Sequence, residues 1–259
     1  MALIRLLGAM IYQACHTSGR GVTLLGQSAL QLPFMAAPRR LRNIRDLLFA
    51  YSIAALPVTI VVSLFTGMII ALNSGLTLAE LGQEGMLGRL VALSMVREMG
   101  PVFTGLILAA SIGSGVAAEI GTMRVSDEID ALEIMSISPV RYLVVPRVVA
   151  LTLLCPTMTI FADVIGTAGG ALIGHAQFGV GWSAFRHDAT TYLELKDLYS
   201  GLFKATVFGL TIGIVGCTQG LQARNGATGV GEATRRAVVS AFLLIIFFTY
   251  IITWIVYQE

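Results

Sequence analysis

Five stretches almost free of charge dominate the chain, at residues 47–79, 99–118, 148–174, 205–223 and 237–258, and Asp163 is the one charge inside the third. The hydrocarbon core of a bilayer is about 30 Å thick and takes about 20 apolar helical residues to cross. Each stretch reaches that length, and the first exceeds it. A backbone in lipid must satisfy its own hydrogen bonds, which within single apolar segments means helices. The expected fold is therefore all-α, a polytopic membrane protein of five spans. Composition agrees: 56% of the 259 residues are hydrophobic and 12% are charged, against about 25% charged in an ordinary soluble domain.

Residues 1–38 do not make a clean span, because Arg5, Gln13, Arg20, Gln27, Gln31 and Pro33 interrupt the apolar pattern. Leu3, Leu6, Leu7, Met10 and Ile11 recur at helical spacing, which suits an amphipathic helix lying in the membrane interface. A sixth span is the alternative. The apolar run after Arg5 is short for a secretory signal and is followed by Arg39, Arg40, Arg42 and Arg45, so the segment reads as retained. The chain thus divides into an N-terminal interfacial region, 1–46, and a single five-helix domain, 47–259.

Five spans place the termini on opposite sides, and Lys and Arg placement decides which is which. With the N-terminus cytoplasmic, twelve of the 17 basic residues fall inside. Residues 119–147 and 221–236 are then cytoplasmic, and 80–98 and 175–204 are outside. Small residues four apart (Gly166, Gly170 and Gly174; Gly209 and Gly213; Gly216 and Gly220; Ser111 and Gly115) predict close helix contacts.

Signs of catalysis are weak. His16, His175 and His187 lie in separate segments with no H-E-x-x-H or G-x-S-x-G pattern, and Cys15, Cys155 and Cys217 lack metal-ligand spacing. The only lysines, Lys196 and Lys204, follow Leu195 and Phe203, so no G-x-x-x-x-G-K-[ST] phosphate loop can be built. ATP energy would have to come from another chain, and no cofactor is expected in this one. A net charge of +2 gives no footprint for nucleic acid.

The segment from Glu119 to Arg147 is too regular for a plain cytoplasmic loop. Val125, Ile129, Leu132 and Met135 fall on one helical face, and Asp127, Asp130 and Glu133 on another. The spacing predicts a short amphipathic helix within 124–138, ending before Pro139. Membrane-lying helices favour Lys and Arg on the polar face. This face is acidic, which favours docking on protein.

These residues also carry a resemblance. Glu119 to Gly121, Met123, Ile129 to Leu132, Met135, Pro139, Tyr142-Leu143 and Pro146-Arg147 are similar to the signature of MlaE/YrbE-type permeases, the membrane subunits of ABC transporters that move lipids with MCE-domain partners. Leu90 to Pro101 (LVALSMVREMGP) and Gly226 to Val239 (GATGVGEATRRAVV) resemble two further blocks of that family, in the same order.

The resemblance implies a homodimeric permease in a bacterial inner membrane or derived envelope. It would work with cytoplasmic ATPase subunits that bind ATP, an MCE-type periplasmic protein and phospholipid. It implies that residues 124–138 form the coupling helix. Val125, Asp127, Ile129, Asp130, Leu132, Glu133 and Met135 would then face the ATPase or the inner ends of the permease. The first two spans would line a lipid cavity, with Ile69, Leu72 and Leu76 on its wall and Arg97 and Glu98 at its mouth. Ser111 departs from the family pattern, in which many bacterial members have Arg.

For Arg97, a contact to a lipid phosphate competes with a snorkelling anchor at the interface, and Glu98 is expected to orient a neighbouring helix. Asp163, inside a span, marks a functional site by default, although a bonded structural role at a helix contact suits it better. A secondary transporter or channel for an amphipathic substrate is the alternative reading. It would need coupling charges in several spans, and only Asp163 qualifies; a lipid-modifying enzyme would need a catalytic constellation. The basic-residue asymmetry predicts that, in a Cys-free variant, Val230→Cys labels only from the cytoplasmic side and Thr190→Cys only from outside. The reverse labelling contradicts this topology.

Overall fold

The computed structural model describes residues 38–258 and, before them, Gly19, Gly21, Thr23, Leu24 and Gly26. The expected interfacial helix of residues 1–38 falls almost wholly outside the described residues; Leu24 is buried against the core of the bundle. All described elements are helical. Five helical segments are long and apolar enough to cross a membrane: Leu41–Glu80, Glu84–Val125, Val140–Phe178, Leu195–Leu221 and Gly226–Tyr257.

The first span is α1 (Pro38–Glu80). The second is assembled from α2 (Leu87–Ser94), α3 (Gly100–Leu108) and α4 (Ser114–Val125), joined by wide π turns at Met95–Met99 and Ala109–Gly113. A short helix, α5 (Glu128–Ile134), leads to a π turn at Val140–Val144 and the third span, α6 (Val145–Phe178). A helix beside the bundle, α7 (Trp182–Thr191), precedes the fourth span, α8 (Leu195–Leu221), and the fifth, α9 (Gly226–Tyr257).

Sequence and structure agree on the number of spans and differ on their ends. Helix continues through Glu84–Met99, Leu195–Lys204 and Gly226–Arg236, stretches that polarity assigns to loops. The charges there do not break the helices because several have partners: Arg97 and Lys204 pair with carboxylates across the bundle, and Arg236 pairs with Glu232 one turn away. The start of α8 also carries a capping box, in which the Asp197 carboxylate accepts from the Glu194 backbone N–H while the Glu194 side chain accepts from the third residue of the helix.

α6 and α8 form the centre of the bundle. α1, α3 and α8 pack on α6, while α4 and α9 pack on α8. The most apolar windows of α1 and α9 are only 22% and 17% buried, which makes these two helices peripheral. Lipid tails are as apolar as Leu, so backbones must meet closely for association to be favourable. They do so where α1 meets α6: a Cβ at Gly67 would lie 1.7 Å from the Gly166 carbonyl oxygen. The small residues four apart on α6 and α8 also meet backbone closely, except Gly174, whose neighbours are the side chains of Leu87 and Phe185. Ser111 and Gly115 do not, because Gly115 has no neighbour within 4 Å and both residues are exposed.

Outside the main bundle, α7 clasps α2. Asp188 accepts a 2.6 Å hydrogen bond from the Arg89 backbone N–H, and the Arg89 guanidinium lies 4.5 Å above the Tyr192 ring. Phe185 and Ala189 are buried with Leu87 and Val91 in a second apolar cluster.

Gly67→Ala is expected to lower stability in lipid nanodiscs by about 3 kcal/mol, since the added methyl meets fixed backbone. Gly231→Ala, which has open space, should raise it by about 0.5 kcal/mol through the lower backbone entropy of Ala. Thermal unfolding of the two variants checks the opposite signs.

Candidate functional site

Two polar clusters mark the two ends of the bundle, called outer and inner after the sides on which the basic-residue asymmetry is expected to place them. The outer one begins at the π turn Met95–Met99 and its neighbour Pro101. Proline has no N–H, so the Arg97 carbonyl loses the donor that an α-helix would supply from residue 101. The ammonium of Lys204 takes that place, donating to the Arg97 carbonyl at 2.8 Å and to Glu98 Oε1 at 2.6 Å. Lys204 is fully buried. It can reach the second span because residue 201, nearly a turn earlier on α8, is glycine: a Cβ there would lie 2.3 Å from the Val96 carbonyl oxygen.

Arg97 faces the other way around the turn. Its Nε donates to Asp197 Oδ1 at 2.6 Å, and its guanidinium lies 4.7 Å above the Tyr257 ring. The Tyr257 hydroxyl donates to the same Asp197 oxygen at 2.9 Å, and the Thr253 hydroxyl donates to Glu98 Oε1 at 2.7 Å. Two cations and two carboxylates thus neutralise one another where α8 and α9 meet the second span. Isolated buried charges are strongly unfavourable, and pairing with full hydrogen bonding makes them tolerable. Glu98 accepts from side chains of both the fourth and the fifth span. Arg97 is committed to Asp197, although its side chain keeps 37% exposure.

The inner cluster closes the segment between the second and third spans. Arg147 Nη2 donates to Glu119 Oε1 at 2.6 Å, and Nη1 donates to the Leu143 carbonyl at 2.9 Å. This pair ties the inner half of α4 to the start of α6, so the 27 residues between Glu119 and Arg147 hang from a fixed base.

Within that segment the structure corrects the expected helix. It is seven residues long, Glu128–Ile134, rather than most of 124–138. Val125 is the last residue of α4, and Asp127 at φ +60° and Ser136 at φ +61° break the helical path on either side. Short polar side chains tolerate that left-handed region better than most.

The predicted apolar face also splits. Ile129 is buried and Leu132 packs on the core of the bundle, Val125 is half-buried, and Met135 points outward at 60% exposure. The exposed apolar tip is Ile134, Met135 and Ile137, with Ile134 at 85% exposure. Asp130 is not free for a partner, since it pairs with Arg124; Asp127 and Glu133 are exposed.

Ile69 and Leu76 are exposed on α1 and Leu72 is half-exposed. With Val58, Val61 and Phe65 they make an apolar stripe that no other described helix covers. The polar partners of Arg97 and Glu98 come from α8 and α9, whereas α1 packs on α6. A single chain therefore does not gather the two halves of the expected lipid entrance around one pocket.

Asp197, Lys204 and the Glu119–Arg147 pair were not singled out by spacing, because their partners lie 28 to 107 residues away in sequence. The available signals were local. They were the E-x-x-D cap at Glu194 and a lysine inside an otherwise apolar helical run.

Comparison with known proteins fits this arrangement. The family described as Permease MlaE matches residues 46–255. The chain belongs to the MlaE permease family. It is 41% identical over 214 residues to a probable ABC transporter permease protein of Rickettsia typhi, covering 83% of this chain and 82% of that one. It is 32% identical over 209 residues to the intermembrane phospholipid transport system permease protein MlaE of Haemophilus influenzae, covering 79% of each. It is 33% identical over 204 residues to the chloroplastic protein TRIGALACTOSYLDIACYLGLYCEROL 1 of Arabidopsis thaliana, covering 79% of this chain and 58% of that one. This MlaE-family chain is a multi-pass membrane permease, a transport component rather than an enzyme.

Arg97→Glu should destabilise the permease by about 2–3 kcal/mol, because it sets a second carboxylate against buried Asp197 in a pair that is only partly exposed. Arg97→Lys keeps the charge and loses the planar fork, so a smaller loss is expected. Chemical unfolding in micelles gives the ranking, and equal stability of the two variants contradicts the assigned pair.

Proposed function

We propose that the permease is the membrane subunit of an ABC transporter that moves phospholipids between a bacterial inner membrane and an MCE-type periplasmic partner. It acts as a homodimer with cytoplasmic ATPase subunits, its N-terminus in the cytoplasm and its C-terminus outside. The observation that carries this reading is α5. A seven-residue helix with an exposed apolar tip, Ile134, Met135 and Ile137, stands beside the exposed acidic residues Asp127 and Glu133. Exposed apolar residues of this size, rimmed by charge, mark protein contacts.

The sequence has no phosphate loop of its own, so energy enters from a partner. The base of the segment, held by Glu119 and Arg147, passes a displacement of α5 to the second and third spans. The acidic residues meet basic groups beside the ATPase groove, steering association.

The uncovered stripe on α1, from Val58 to Leu76, supports a second copy or lipid on that face. The open Ser111–Gly115 face of the second span supports the same. Across a homodimer, Ile69, Leu72 and Leu76 of each copy would wall the lipid path. The exposed part of Arg97 would offer its remaining N–H groups to a phosphate, as a charged donor does for an anion. The relatives named for ABC transport and intermembrane phospholipid transport favour this reading.

Ile134→Asp should lose the ATPase on co-purification, with affinity down by roughly 30-fold or more, the scale of one interface hot spot. The fold of the permease itself should be unaffected. Leu132→Asp, half-buried in the chain's own core, should instead lower the stability of the permease. If Ile134→Asp leaves both the complex and lipid transfer in proteoliposomes intact, α5 is not the coupling element, and a channel or secondary transporter becomes the better reading.

A further inference from the structure

A cavity of about 820 Å³ lies between α2, α6, α7 and the start of α8, away from the α1 face. Its wall is mostly apolar, with Val96, Val164 and Phe185 among the residues that line it, and it holds one carboxyl, Asp163, and one cation, Arg186. Asp163 is 7% exposed, and its Oδ1 has no hydrogen-bond partner. The four charges of the neighbouring outer cluster neutralise one another; this carboxyl has no such counterpart among the described residues. A Cβ at residue 100 would lie 1.7 Å from Oδ1, so that oxygen is sealed against the second span at Gly100 and the carboxyl meets the cavity through its other oxygen. Among the described residues the Asp163 carboxyl has no hydrogen-bond partner for the bonded structural role expected from the sequence.

Buried polar groups are almost always hydrogen-bonded, and an unmatched carboxyl inside a span points to a ligand that supplies the donor. Asp163 lies midway along α6, yet Leu198, in the first turn of α8, lines the same cavity. The cavity therefore extends from the middle of α6 to the start of the fourth span. The cavity's volume falls within the range of ligand pockets, about 300 to 1,000 Å³.

We propose that this cavity binds an amine-headed phospholipid, with Asp163 accepting hydrogen bonds from the ammonium, Arg186 at the α7 rim facing the phosphate, and an acyl chain along α6. A zwitterionic head matches a wall with one acid and one base. The site is separate from the dimer-face lipid path and does not rest on that reading, since binding is measured apart from transport.

The test uses the full chain in micelles containing equal amounts of phosphatidylethanolamine and phosphatidylcholine, with lipid retention read by native mass spectrometry. The trimethylated choline head has no N–H donor. Retention of phosphatidylethanolamine should exceed that of phosphatidylcholine about tenfold, the scale of one hydrogen bond to a charged group. Asp163→Leu should abolish the preference. Ala168→Trp, at an exposed cavity-lining position, fills the space without touching the carboxyl and should lower retention of both lipids, which decides the matter if Asp163→Leu does not fold. Equal retention of the two lipids by the unaltered chain overturns the proposal. So does undiminished retention of phosphatidylethanolamine by Ala168→Trp.

Discussion

The buried ammonium of Lys204 fixes the outer half of the molecule. In a membrane the side chains of neighbouring helices gain little by leaving lipid for one another, so directional polar contacts decide how helices are arranged. Lys204 satisfies a carbonyl that Pro101 leaves without a donor, and in the same geometry pairs with Glu98, which in turn receives Thr253 of the fifth span. Arg97 and Asp197 complete the set from the opposite side of the π turn. The second, fourth and fifth spans are thus joined at one level by charges that would be costly apart and are neutral together.

Glu119 and Arg147 play the corresponding part at the inner end, with a different consequence. They join the second and third spans and leave the segment between them projecting. Inside that segment Ile129 and Leu132 turn inward while Ile134, Met135 and Ile137 turn outward. The element is therefore anchored on one face and open on the other. The ion pair holds the two ends of the segment to α4 and α6. The wide π turns in the second span interrupt an otherwise continuous helix at the outer cluster and near its middle, and such turns often accompany functional sites.

Much of this arrangement can be read in the sequence. The five apolar stretches give the number of spans, and the glycines of α6 and α8 mark real close contacts, because hydropathy and small-residue spacing act locally. Helix ends are less legible. Arg89, Arg97, Glu98 and Lys204 make 84–98 and 195–204 look like loops, and only partners a hundred residues away show why helix continues through them. The periodicity around Ile129 identifies an amphipathic helix but overstates its length, since the left-handed turns at Asp127 and Ser136 leave little trace in a hydrophobic pattern. Met135 falls on the right face of an idealised helix and on the exposed side of the real one, because the helix has ended before it.

A double-mutant cycle between Glu98 and Lys204, read by reversible unfolding of the permease in micelles, tests most directly whether this charge cluster holds the spans together. Glu98→Gln should cost about 3–5 kcal/mol, as it leaves the fully buried Lys204 ammonium without its partner, and Lys204→Met somewhat less, since the carboxylate it leaves keeps 29% exposure. The double variant should recover a substantial part of the summed loss, with a coupling of about 1.5 kcal/mol or more. Additive losses, or a Lys204→Met variant as stable as the unaltered chain, would contradict the account.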